Sequence, residues 1–440
     1  MVSPSAPTAT TSAEADLISS MHASIARIAI ARREAIVVVE GFRRLTTTTR
    51  RKSVKGKEGD EAILRSEGGK QTDDAENCIA TALFLNMATP WMHCLLLLVQ
   101  SLLLHAPGDA AKVPALVLFG DSSVDTGNND YLPTVARSNF QPYGRDFNGG
   151  VATGRFSNGR LATDFISQDF GLPDTVPAYL DPSFEMKDFA AGVCFASAAT
   201  GYDNVTSDVL LIGLCQSVLP LWKQLDNFKN YQEKLKSFQG EATAQQTISQ
   251  ALYIISMGTN DFLENYYAYS GRSSEYTVDK YEDYLVGIAR GFVDDLYRLG
   301  ARKVNIAGLP PMGCLPLERV ENSDSCNKEH NQVASDFNAK LQTMMAELSQ
   351  ELPDVKLAYS NLYDPFMDVV TDPTSYGFEN AVSGCCATGL FEMGYMCSSR
   401  SPFTCTDANK YVFWDAFHPT EKMYRIIADR LMNTTLYVYK

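Results

Sequence analysis

Ser122 closes the stretch Phe119-Gly120-Asp121-Ser122, directly after the apolar run Ala115–Phe119. Near the other end of the chain stands Asp415-Ala416-Phe417-His418-Pro419. A serine hydroxyl is a weak nucleophile until a base takes its proton, and a carboxylate can fix that base in the right tautomer. A serine at a strand end, with Asp and His three positions apart elsewhere, supplies all three groups. Pro419 stiffens the turn after the imidazole. The chemistry implied is attack by Ser122 on an acyl carbonyl, with His418 as base and Asp415 orienting it. The chain has five histidines, and His22, His93 and His105 precede the stretch that looks globular. His330 sits in a polar run, Cys326–Gln332, that opens a helix, and reads as a solvated helix residue. That leaves His418. Taken alone, D-x-x-H also fits a helix cap. Ser123 is the nearest competing nucleophile, but one residue further round the turn its side chain should point elsewhere.

A tetrahedral intermediate develops negative charge on oxygen, so hydrogen-bond donors must be in place beforehand. Asn260, in Met257-Gly258-Thr259-Asn260-Asp261, follows the apolar run Ala251–Ser256. Its amide donates without titrating; the alternative reading is an Asx turn residue. Gly127-Asn128-Asn129-Asp130 reads as turn chemistry rather than catalysis. The sequence holds no G-x-S-x-G, no H-E-x-x-H, no C-x-x-C and no glycine-rich phosphate loop. With too few histidines for a zinc site, neither a metal nor a cofactor is expected.

In these blocks the chain resembles the plant GDSL esterase/lipase family of the SGNH hydrolase superfamily. The resemblance runs over roughly residues 112 to 437 and rests on FGDSSVDTGNND (119–130), GVCFASAATGYDN (192–204), MGTND (257–261) and WDAFHPTEKMYRIIA (414–428). ATGRFSNGR (152–160) and GLPPMGCLP (308–316) also look like the family. It implies Ser122 as nucleophile, His418 as general base and acid, Asp415 as its carboxylate, and Asn260 and the Ser122 N–H as oxyanion donors. The third donor is normally a glycine N–H in the second block, which here falls on Ala199. An alanine keeps the N–H but resents a positive φ. The activity implied is hydrolysis of small-molecule or polymer carboxylic esters through an acyl-enzyme. An acyltransferase, with an alcohol replacing water, is the neighbouring reading. A catalytically silent member that binds an ester or wall polymer is the reading from another class.

Those side chains need a scaffold. Ala115–Phe119, Gly192–Ala196, Ala251–Ser256, Lys303–Ala307 and Val355–Tyr359 are short apolar runs without alternation, as strands buried on both faces should be. Helix-like stretches lie between them at Val218–Phe238, Val278–Leu299 and Asn327–Leu348, and Glu421–Leu431 follows Pro419. This pattern predicts a three-layer α/β/α fold on a five-stranded parallel sheet in the flavodoxin-like order 2-1-3-4-5.

Of 440 residues, 45% are hydrophobic and the net charge is −14. Residues 1–110 hold 12 basic and 12 acidic side chains, leaving 26 against 40 and hence the whole −14 in the remainder. Such a domain should seek neither nucleic acid nor an anionic membrane surface. Residues 1–86 read as a disordered extension, or as lying before the true start at Met87; the seven basic residues of Arg43–Lys57 fit a solvated tail. Residues 87–110 carry an apolar core, Cys94–Leu104, of signal-peptide length, with Gly108 and Ala110 as small residues before a cleavage point. The hydrolase domain is then 111–437, outside the cell and without integral membrane association. Eight of ten cysteines lie in it, an even number suited to an oxidising compartment. Cys314 and Cys326 flank one loop and are expected to pair; Cys385 and Cys386 should pair with Cys397 and Cys405 in one order or the other. Cys194, at a strand end, reads as a buried thiol. Asn204 and Asn433 open glycosylation sequons.

Overall fold

The structure is a computed structural model that describes residues 113–209, 218–268, 271–401 and 403–440. The candidate leader, the extension before it and Cys215 lie outside the described residues.

Five strands form one parallel sheet: β1 (Leu116–Gly120), β2 (Gly192–Cys194), β3 (Leu252–Ser256), β4 (Lys303–Ala307) and β5 (Lys356–Ser360). Their order is β2-β1-β3-β4-β5, the flavodoxin-like order that the apolar runs predict. Leu118 stands opposite Cys194 on one side and Ile254 on the other, with Phe119 opposite Ile255. Adjacent strand residues face opposite sides, and both sides of β1 and β3 are buried, which is why their sequences lack alternation. On one face the Phe119 ring meets Phe195, Phe228 and Phe292. Phe228 belongs to α2 (Leu221–Gln239) and Phe292 to α4 (Val278–Arg298); α1 (Ala162–Asp169) and α3 (Glu241–Gln250) precede them in the chain order. On the other face Ile254 shares a cavity wall with Ile166 of α1 and Ile427 and Leu431 of α7 (Glu421–Thr434). Between these come α5 (Lys328–Glu351) and α6 (Tyr363–Thr371).

Two expectations are corrected, and one element is new. β5 is an edge strand, and four of its five residues are at least partly exposed, so it is not buried on both faces. β2 ends at Cys194 rather than Ala196, although Phe195 and Ser197 N–H still donate to the Leu118 and Gly120 carbonyls at 2.8 and 3.0 Å. The new element is a second sheet of parallel β6 (Asn380–Gly384) and β7 (Tyr411–Phe413); β6 is mostly polar, and β7 lies in an apolar run of only four residues, Tyr411–Trp414. It nevertheless holds Asp415: Cys385 and Cys386 N–H donate to the Phe413 and Trp414 carbonyls at 3.0 and 2.7 Å.

Candidate active site

The first turn is set by Gly120, whose φ of +149° is closed to side-chain-bearing residues and whose Cβ would lie 2.0 Å from the Ser256 carbonyl. Gln224 of α2 brackets it, accepting from Gly120 N–H at 3.0 Å and donating to its carbonyl at 2.9 Å. The chain therefore leaves the sheet at one fixed point and presents Ser122. Its Oγ lies 2.8 Å from His418 Nε2. His418 Nδ1 lies 2.8 and 2.9 Å from the two oxygens of Asp415. Asp415 is fully buried, and Ser122 and His418 are nearly so. Asp415 Oδ1 also accepts the backbone N–H groups of Phe417 and His418 at 2.8 and 2.6 Å, so the loop is wound around its own carboxylate. The helix-cap reading of Asp415 fails here, because Thr420 is the residue before α7 and accepts Met423 N–H.

Ser123 is held away from the imidazole, its Oγ 2.7 Å from Asp121 Oδ1 and 2.9 Å from Ser256 Oγ. Burial pushes the Asp121 carboxyl up to about 6, opposed by the hydrogen bonds from Ser123. His330 lies elsewhere. It is half-buried rather than solvated: its ring stacks on Tyr267 at 4.0 Å, and Nδ1 meets Glu318 at 2.5 Å.

Asn260, Ala199, Ser122 and His418 line one pocket. Ala199 has φ +66°, the left-handed conformation that costs a side-chain-bearing residue about 1–2 kcal/mol. No acceptor among the described residues takes the N–H of Ser122 or of Ala199. Two free N–H groups and an amide around one cavity could receive an oxyanion. Asn260 also donates to the Thr200 carbonyl at 3.0 Å, tying it to the Ala199 loop.

That loop is braced by residues expected only to make a turn. Asp125 accepts Ala198 N–H at 3.0 Å, and Asn128 donates to the Cys194 and Ala196 carbonyls at 2.9 and 2.8 Å. Asn129 donates to the Ala198 carbonyl at 3.1 Å. From the far side, Asp261 accepts Tyr202 and Asp203 N–H at 2.8 and 3.0 Å and the Thr206 hydroxyl at 2.6 Å. The polar runs of the first and third blocks thus hold the second block between them.

Sequence reasoning missed Tyr143. Its buried hydroxyl donates to Asp415 Oδ2 at 2.7 Å and accepts Gly394 N–H at 2.8 Å. Nothing in the sequence could pair residues 272 positions apart. Gly394 sits in the loop closed by Cys385–Cys405 and Cys386–Cys397; Cys314–Cys326 is the third disulfide. This resolves the order of pairing that spacing left open. Cys194 is a buried free thiol, as expected, and burial pushes it up to about 12. Among the described residues no group of His, Cys, Asp or Glu is arranged to hold a metal ion, and no helix is long and apolar enough to cross a membrane.

A serine, imidazole and carboxylate joined in line beside unpaired N–H donors, at the carboxyl ends of a parallel sheet, form the constellation of a serine hydrolase. Residues 116–431 match the family described as GDSL-like lipase/acylhydrolase. Three Arabidopsis thaliana proteins, each named a GDSL esterase/lipase, are 59%, 55% and 53% identical over 329, 322 and 344 residues. These alignments cover 74%, 72% and 78% of this chain and 92%, 90% and 96% of the relatives. The chain belongs to the GDSL-like lipase/acylhydrolase family and is a carboxylic ester hydrolase.

Proposed function

We propose that the protein hydrolyses carboxylic esters through an acyl-enzyme on Ser122. His418 takes the hydroxyl proton as Oγ attacks the carbonyl, then returns it to the leaving alcohol. Asp415 holds Nδ1 and stabilises the imidazolium. Ser122 N–H, Ala199 N–H and the Asn260 amide receive the oxyanion. Water, activated by the same imidazole, then releases the acid. The observation that carries this reading is the unbroken 2.8 Å contacts from Ser122 Oγ to His418 to Asp415. A pre-steady-state burst with an activated ester should release one equivalent of alcohol per site, if deacylation is slower than acylation. Absence of both a burst and a trappable acyl adduct with slow substrates would reject the covalent route.

A second cavity is lined by the same Ser122 and His418. Ile166, Ile254, Met257, Leu309, Phe366 and Leu431 are among its walls. Its apolar character suits the acyl chain, so we assign it that part of the substrate.

Secretion belongs to the same reading. Three disulfides and exposed side chains at Asn204 and Asn433 suit an oxidising, glycosylating route. Protein from its native source should begin near Ala111 and carry glycan at these sequons. A start at Met1 with reduced cysteines would place it inside the cell.

A further inference from the structure

Asn260 opens an unusual element. Residues Asp261–Ala268 form a π-helix, whose wider turn brings residues four apart almost one above the other. Two pairs follow from this spacing. Asp261 and Asn265 face inward together: Asp261 holds Thr206, and Asn265 donates to Thr206 and Tyr281 at 3.0 and 3.2 Å. Asn260 and Glu264 face the other way together, and both line the pocket that holds Ser122 and His418. π-turns of this kind occur preferentially at functional sites.

Glu264 has no task in the mechanism above. Its Oε2 is shielded from solvent and has no hydrogen-bond partner. Around it the pocket is otherwise mostly apolar, with Phe156, Met393 and Phe417 among its walls. A buried carboxyl oxygen left unsatisfied is costly, and native proteins rarely tolerate one without a role. Burial raises the carboxyl to about 7, opposed by His418, so near neutrality much of it stays protonated. In that form it both donates and accepts one hydrogen bond. A hydroxyl group offers the matching pair without bringing a charge into the pocket.

We infer that Glu264 recognises a second hydroxyl on the leaving alcohol, so that the preferred substrates are esters of polyols rather than of simple alkanols. This deepens the reading proposed above and rests on it. The assignment to the alcohol rather than the acyl side follows from the two cavities. The apolar one has only Asp121 as a carboxyl in its walls, and Ser123 already occupies that group. The imidazole lines both cavities, so either can return a proton to the leaving oxygen; with the apolar one taken by the acyl chain, the cavity that holds Glu264 is left for the alcohol.

The test compares esters of one acyl chain with 1-propanol, glycerol, glucose and choline, in the wild type, Glu264→Gln and Glu264→Leu. The wild type should favour the glycerol or glucose ester over the propyl ester by about ten-fold or more in kcat/KM, in line with one hydrogen bond to a buried partner. The two polyol arms distinguish a glycerol from a sugar headgroup. In Glu264→Leu that ratio should collapse towards one, and in Glu264→Gln it should fall less, because an amide still pairs with a hydroxyl. No polyol preference in the wild type overturns the inference even if neither variant folds. An unchanged ratio in the variants overturns it too, and a preference for choline would make Glu264 a cation site instead. Loss of all ester hydrolysis in the wild type, with no labelling of Ser122, would instead reject the reading on which the inference rests.

Discussion

Asn260 is the residue on which the oxyanion argument can be separated from a structural one. Its amide faces the pocket and also braces the Thr200 carbonyl. If the oxyanion is bound there, Asn260→Ala should lower kcat about 10²–10³-fold while KM changes little, since the charge develops only in the transition state. A folded variant with wild-type kcat would remove Asn260 from the mechanism. Ala199 carries a different burden: its φ of +66° is strained, and the braces from Asp125 and Asp261 around it are what can hold it so. Tyr143 acts through Asp415 and is a positioning residue. Tyr143→Phe removes one hydrogen bond to a charged acceptor and strands Gly394 N–H, so it should cost about 1.5–3 kcal/mol in chemical denaturation. It should also shift the pH–rate profile, a change that mere loosening of the loop would not produce. The triad residues were legible because Ser, Asp and His announce their chemistry by type and local spacing. Tyr143 and Glu264 were not, because one depends on a contact across 272 positions and the other on the pitch of a π-turn.

Among the elements, the apolar runs were readable because β1, β3 and β4 are covered on both faces and leave no polar period. β6 and β7 were not, because β7 has three residues and β6 is partly exposed. Val412, Phe413 and Ala381 are nonetheless buried in the main core, with the Phe413 ring on Phe366, and two disulfides close the loop that follows β6. In the segment between β1 and α1, the block ATGRFSNGR was recognisable but the partner of its Arg155 was not. The segment is pinned by Arg155, which makes a bidentate pair with Asp164 at 2.8 and 2.9 Å and donates to the Thr126 and Val176 carbonyls at 3.1 and 3.0 Å. Both partners are buried. Arg155→Met should therefore cost about 3–5 kcal/mol, because it leaves the Asp164 charge buried without its counter-ion, held only by the Leu161 and Val176 N–H groups. The comparison that isolates the pair is Arg155→Met with Asp164→Leu; if the double change is no better tolerated than the single, the pair is not the cause.

Across the whole molecule, burial raises several carboxyls together: Asp121 and Asp125 to about 6, and Asp130, Asp261 and Glu264 to about 7. In the unfolded chain these groups lose their protons near pH 4. Between about pH 4 and pH 7 the folded state therefore binds more protons than the unfolded one, and stability falls as pH rises. Thermal unfolding followed from pH 5 to pH 8 should show the higher Tm on the acid side. A Tm that climbs across this window would mean that the hydrogen bonds to these carboxylates outweigh their burial.

The central claim is that Ser122 is the nucleophile and His418 its base. It is tested most directly by reacting the protein with a fluorophosphonate and locating the adduct by peptide mass spectrometry. The adduct should form on Ser122 alone, be lost with all ester hydrolysis in Ser122→Ala, and form far more slowly in His418→Ala than in His330→Ala. An adduct on Ser123, or hydrolysis that survives Ser122→Ala in a folded protein, would contradict the account.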